Sequence, residues 1–240
     1  MNQLEESIYF YTLNDYLLIN NLLWGNAKKL EKSIQIIYDD AKASIALAER
    51  IGIENRWRGT PERCNAVYNA HRKRTPEILD KKSKAKFILR AKQDIENIYG
   101  AMKPSQTDMV LYRNIRLCDV KEDDYGLSKE LKQYGFSSCS KSPCESSYNS
   151  KDKKFVRFKI IIPKNTLMLD LDNFPDWNNE KGEVVLPPFK AKVCRHFLKQ
   201  NNPDCLYEVE LLLDKTFKPK ILLNKLLKNI LKNNQENYEK

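Results

Sequence analysis

The chain has 240 residues, enough to bury a substantial core without disulfide support, so a cross-linked miniature scaffold is excluded. Hydrophobic residues make up 41% and charged residues 31%, with only 7 glycines and 10 prolines, which excludes a disordered, collagen-like or low-complexity chain. Lys and Arg number 42 against 32 Asp and Glu, a net charge of +10, and this balance favours anionic partners such as nucleotides, nucleic acid or acidic surfaces without choosing among them.

No run approaches the roughly 18 apolar residues of a membrane span. The opening MNQLEESIYFYTLNDY carries amide and acidic residues where a signal peptide has a basic and then an apolar region, so neither a transmembrane segment nor a Sec-type signal is expected. Six cysteines, at 64, 118, 139, 144, 194 and 205, form no CxxC pair, and only Cys139 and Cys144 lie close together. They read as reduced thiols, with no metal site.

In chain order, Leu17, Leu18, Leu22 and Leu23 recur at helical spacing behind a candidate cap at Asn14, and Gly25 stops that helix. A second helix fits Leu30 to Ile51 and ends at Gly52. The basic stretch from Glu54 to Arg74, with Arg56, Arg58, Arg63, Arg72, Lys73 and Arg74, starts as a loop and ends in a helix through Val67 and Tyr68. It reads either as a solvated helix face or as a surface for phosphates or an acidic target. A last helix runs from Lys82 to Met102, before Pro104.

After Pro104 the vocabulary turns to strands: Met109 to Arg116, Phe155 to Ile162, Leu167 to Asp172, Glu183 to Leu186, Lys190 to Phe197 and Leu206 to Leu213. Helices followed by strands point to an α+β architecture with a pair of packed sheets. The polar stretches SSCSKSPCESSYNSKDKK and LDNFPDWNNEKG read as long loops, which are disproportionately functional. From Leu222 to Leu231 leucines repeat at helical spacing opposite Lys225, Lys228 and Lys232. This tail is either a terminal helix packed on the domain or a helix for a membrane surface or partner. His196, on a late strand, could touch a nucleotide, although a lone histidine is more often structural.

Chemistry gathers in three places: Arg113 within Leu111 to Ile115, the serines of Gly135 to Ser140, and Glu183 opening Glu183 to Pro187. Singly, each pattern is ordinary in a structural role. Together and in this order they resemble the mono-ADP-ribosyltransferase family, which carries an arginine on an early strand, a Ser-Thr-Ser motif and a Glu-x-Glu pair. The opening helix is similar too, with Tyr11-Thr12 and Ile19-Asn20 ahead of Leu23-Trp24-Gly25, as are Phe158 to Thr166 and the Glu-Val-Val-Leu-Pro-Pro run. The resemblance covers residues 9 to 26 and 94 to 213 and is closest to bacterial toxins that modify Rho proteins or actin.

What the resemblance implies is an ADP-ribosyltransferase-like α+β fold, with N-terminal helices on a two-sheet sandwich. The helical part would be 1–108 with an insertion at 27–93, the catalytic core 109–214, and the basic terminal helix 215–240. NAD would be the substrate, with Arg113, Asn114, Ser138, Ser140 and Glu183 as its binding residues, and the partner a target protein. Glu183 would be the catalytic carboxylate and Ser138 its orienter, with Cys139 in place of the threonine. Lys181 occupies the position of the second carboxylate, and Glu180, one residue earlier, is the candidate acceptor base. Phe174 and Trp177 match the substrate-contacting turn. The implied setting is a secreted or injected effector in a host cytoplasm, or a cytoplasmic phage protein. A glycohydrolase on the same fold and a catalytically silent basic binding module are the alternative readings, and nucleic acid as acceptor is permitted by the charge.

Overall fold

Asn2 and Glu5 set the start of the first helix. The Asn2 side chain accepts from the Glu5 N–H at 3.0 Å and the Glu5 carboxylate accepts from the Asn2 N–H at 2.7 Å, a reciprocal cap. The computed structural model describes residues 1–57, 59–116, 126–143, 154–174, 182–198, 205–214 and 216–217. Its contacts separate into a helical unit built on Met1–Ala101 and a β-rich unit built on the described residues of Met102–Asn173 and Glu180–Leu222. The terminal helix expected over 215–240, Cys118 and Cys144, and Glu180 and Trp177 lie outside the described residues, apart from Thr216 and Phe217.

In the helical unit, α1 (Gln3–Phe10) continues through a π-helical segment, Tyr11–Asp15, into α2 (Tyr16–Leu23). The start expected at Asn14 is therefore wrong: Asn14 sits inside the π segment, and the working cap is Asn2. The remaining helices are α3 (Ala27–Ile51), α4 (Ile53–Arg56), α5 (Pro61–Arg74) and α6 (Lys81–Ala101). Gly52, at φ 96°, ends α3 in a conformation that disfavours a Cβ. Thr60 accepts from the Arg63 N–H at 3.3 Å and Pro61 takes the first position of α5. Ile8, Leu18, Ile19, Leu22, Leu23, Ile34, Ile95 and Ile98 are fully buried, each worth roughly 1.5–3 kcal/mol of apolar transfer. No described helix is long and apolar enough to cross a membrane.

The basic stretch is not one solvated face. Arg72 is exposed and pairs with Glu49 at 3.1 Å, but Arg74 is buried. Its guanidinium reaches Glu6 at 2.7 Å, Asp15 at 3.0 Å and both oxygens of Asp94 at 3.0 Å, and lies 4.1 Å over the Phe10 ring. Ser7 on α1 donates to Asp94 at 2.6 Å. One side chain thus joins α1, the π segment and α6, because five N–H donors in a rigid fork can serve three carboxylates at once.

The β unit holds nine described strands: β1 (Lys103–Pro104), β2 (Met109–Arg116), β3 (Glu130–Gln133), β4 (Ser137–Ser140), β5 (Phe155–Ile162), β6 (Leu167–Asp170), β7 (Glu183–Leu186), β8 (Phe189–Leu198) and β9 (Cys205–Leu213). They form one hydrogen-bonded sheet in the order β1-β6-β7-β4-β2-β5-β9-β8-β3. Between β4 and β2 the ladder narrows to one bridge, Tyr112↔Ser140, while β2 and β5 pair along their whole length and β5 runs parallel to β9. The two halves of the sheet share one core: Cys139, Val184 and Leu186 from one side, and Leu111, Val156, Phe158, Ile160, Val209 and Leu211 from the other. The α+β expectation holds, but in place of a pair of sheets there is one continuous sheet whose two halves, joined by the β4–β2 bridge, share this core. β1, β3 and β4 were not expected as strands, and β4 in particular was read as loop because Ser137 to Ser140 shows no apolar alternation.

Candidate active site

The Ser motif is a strand and not a loop. Period-two alternation sends Ser138 and Ser140 to one face of β4, half-buried, while Ser137 and Cys139 are buried on the other. The β4–β7 register sets Ser140 opposite Glu183 and Ser138 opposite Val185, so Ser138 is the diagonal neighbour of Glu183 on the same face. Diagonal residues in such a pair lie about 7–8 Å apart. Ser140 also faces Tyr112 across the single bridge, and Arg113 is the next residue of β2. One strand position thereby links the carboxylate-bearing and arginine-bearing strands.

The thiol between the two serines registers both charges. Burial pushes Cys139 up to about 12, Arg113 pulling it down and Glu183 adding to the rise. Arg113 and Glu183 therefore act on one buried atom from the two halves of the sheet. Asn114 accepts from the Arg157 guanidinium at 3.2 Å.

The approach to Glu183 is fixed by contacts that the sequence did not announce. Gly182 sits at φ 75°; its N–H donates to Asp172 at 2.7 Å and its carbonyl accepts from the Lys141 N–H at 2.8 Å. The Lys141 ammonium in turn pairs with Asp170 at 2.7 Å and Asp172 at 2.8 Å. These two carboxylates raise the Lys141 pKa against a burial penalty. The residue after the Ser motif and the residue before the glutamate are thus tied to one pair of aspartates, next to the 3-10 turn Leu171–Asn173. Phe174 follows that turn, half-buried.

No family model matches the sequence, and no curated protein matches it. Among solved structures, the Salmonella SpvB ATR domain aligns at 12% identity over 90% of this chain and 100% of its own, with a TM-score of 0.52. The catalytic domain of VsdC from Aeromonas hydrophila aligns at 15% identity over 89% of this chain and 100% of its own, with a TM-score of 0.51. The fold is that of the bacterial mono-ADP-ribosyltransferase toxins.

In the β-rich unit of this transferase fold, Ser138, Ser140 and Glu183 share one face of β4 and β7, while Arg113 follows Tyr112, the residue bridged to Ser140, and by strand alternation lies on the other face of β2. Lys141, Asp170 and Asp172 were missed, and only the glycine before a glutamate strand could have signalled the turn. In the opening helix, Tyr11 is buried and Asn20 half-buried, while Trp24, in the place where the resemblance has an arginine, is 52% exposed. His196 packs against Tyr207 with ring centroids 4.8 Å apart. No disulfide joins Cys64, Cys139, Cys194 and Cys205.

Proposed function

We propose that the chain is an NAD-dependent mono-ADP-ribosyltransferase that modifies a side chain, arginine first among the candidates, of a target protein. The observation that carries this reading is the cross-strand row Tyr112–Ser140–Glu183, with Arg113 the next residue of β2 after Tyr112, in a fold shared with transferase toxins. The residues suit the substrate: a permanent cation for phosphates, hydroxyls and an amide for ribose, and a carboxylate on the same face as those hydroxyls. NAD brings a nicotinamide that is already cationic and leaves neutral, so no general acid is required of the protein.

Arg113 holds the phosphates with its planar fork, and Asn114 and Ser140 contribute polar contacts alongside it. Ser138 hydrogen-bonds Glu183 and fixes its rotamer. Glu183 grips the ribose 2′-hydroxyl and offsets the positive charge that develops as the bond to nicotinamide breaks, and removing such a preorganised group costs about 10²–10³ in rate. Glu180 takes the proton of the acceptor, with Phe174 and Trp177 contacting the target protein. Such a protein acts after secretion or injection into a host, or inside a phage-infected cell. Water as acceptor is the second reading, favoured by Lys181 standing where the resemblance calls for the second carboxylate.

Incubating the chain with labelled NAD and eukaryotic or bacterial lysate, beside Glu183→Gln, tests the proposal. A discrete labelled protein absent from the control is the expected result. Nicotinamide release without a labelled band supports hydrolysis, and neither product in either lysate sinks both readings. Glu180→Gln should lose transfer while retaining hydrolysis; equal transfer by this variant and wild type removes Glu180 from the mechanism.

A further inference from the structure

The helical unit contains a cavity of about 770 Å³, lined by the end of α1, the π segment, α3, and the α4–α5 region. Every lining residue falls between Tyr9 and His71, so the cavity owes nothing to Arg113, Ser138 or Glu183. Its volume lies within the roughly 300–1,000 Å³ of small-molecule sites. One wall is aromatic: Trp57 stacks on His71 at 5.4 Å and 22°, and Phe10 meets the same His71 ring edge-on at 4.9 Å. Tyr9 closes this wall, its hydroxyl 3.5 Å from His71 Nε2.

Beside that wall stand two arginines. Arg63 is already engaged within the protein. Arg56 donates to Ser44 Oγ at 3.1 Å and lies 5.5 Å from the centre of the Trp57 ring, yet among the described residues no carboxylate pairs with it. Its Nε is buried without a hydrogen-bond partner, and so is Nδ1 of the buried His71. Buried polar atoms are nearly always satisfied, and an unpaired guanidinium next to an aromatic face is a ready receptor for an anion on a flat molecule. The cavity carboxylates do not fill that role: Asp15 is held by Arg74 at 3.0 Å and Asp40 has its own interactions. Burial and the Arg56 and Arg74 charges hold His71 down at about 4, so at neutral pH the ring is uncharged, with Trp57 stacked on it and Nδ1 left for a hydrogen bond.

We propose that this cavity is a second ligand site, for a phosphorylated planar metabolite of the mononucleotide class, with Arg56 taking the phosphate, the Trp57 wall taking the ring and His71 Nδ1 hydrogen-bonding its edge. The site shares no residue with those assigned to NAD, and its existence does not depend on the transferase reading.

Titration of the full-length chain with AMP, adenosine and inorganic phosphate, by calorimetry and by tryptophan fluorescence, tests it. The expected result is saturable AMP binding, with adenosine and phosphate each at least tenfold weaker. Arg56→Gln should weaken AMP at least tenfold while leaving the ligand-free melting temperature in place, and Trp57→Phe should remove the fluorescence response. The AMP-binding event that Arg56→Gln weakens should persist in Arg113→Ala and Glu183→Gln. Absence of AMP binding at millimolar concentration overturns the proposal. So does binding that Arg113→Ala abolishes and Arg56→Gln spares, since that pattern assigns the nucleotide to the β-rich unit.

Discussion

Gly182 and Lys141 flank the two strands that carry the serines and Glu183, and their contacts explain how a short strand can hold a carboxylate in place. A Cβ on Gly182 would meet only Lys141 Cβ, at 3.8 Å, so space does not forbid alanine there. The φ of 75° does: an L-residue in that region costs about 1–2 kcal/mol. Gly182→Ala is therefore expected to fold, to lose no more than that amount of stability, and to lower NAD cleavage at least tenfold because the turn shifts Glu183. Lys141→Met leaves Asp170 and Asp172 facing each other without a cation. Since all three side chains are partly exposed, the stability loss should stay under about 1 kcal/mol while kcat falls and KM for NAD changes less. Wild-type turnover in both variants, measured as nicotinamide release, would show that the turn does not position Glu183.

At the scale of elements, the helical unit depends on Arg74 more than on any single apolar contact. Arg74→Met removes a cation from among Glu6, Asp15 and Asp94 and leaves their charges buried; breaking such a pair costs about 3–5 kcal/mol, a large share of the 5–15 kcal/mol of a typical domain. Arg72→Met, two residues earlier but 60% exposed with its partner Glu49 at 48%, should cost under about 1 kcal/mol. Urea unfolding followed by helical circular dichroism separates the two, and equal midpoints would contradict the role assigned to Arg74. The basic stretch shows where sequence reading stops. Arg72 and Arg74 look alike in a list of residues, and only the packing of α1, α5 and α6 decides that one is solvated and the other is a hub. The β-branched and aromatic strands were legible because their side chains carry the pattern, as in Met109–Arg116 and Phe155–Ile162. Ser137–Ser140 was not, because a strand that pairs on both sides with β2 and β7 is held by its ladder and its neighbours' side chains.

For the molecule as a whole, two buried titrating groups oppose each other. Burial, with the Asp94 charge adding to it and the Arg74 charge opposing it, raises Asp15 from 3.8 to about 7; burial and two arginines lower His71 from 6.5 to about 4. Between pH 4 and 6.5 the native state holds a proton on Asp15 that the unfolded chain has lost, which makes stability fall as pH rises. Over the same window the unfolded chain holds a proton on His71 that the native state refuses, which makes stability rise with pH. The two slopes, each about 1.4 kcal/mol per pH unit, nearly cancel. Asp15→Asn should therefore make stability climb from pH 4.5 to 6.5, His71→Gln should make it decline, and the double variant should return to the flat profile. Unchanged slopes in both single variants, from urea titrations at three pH values, would refute the pairing. The candidate site was legible as residue types in order, Arg113, then the serines, then Glu183. What holds them, a single bridge between sheet halves and a lysine clamped by two aspartates, depends on through-space partners that no local pattern announces.

The π segment at Tyr11–Asp15 has a consequence for the helix ahead of it. A π turn is one residue inserted into an α-helix, and each α-helical residue turns the chain by about 100°. Deleting any one of these five residues would leave a straighter helix but rotate Ser7, Tyr9 and Phe10 away from Asp94, His71 and Arg74. The insertion therefore sets which face of α1 meets Asp94, His71 and Arg74.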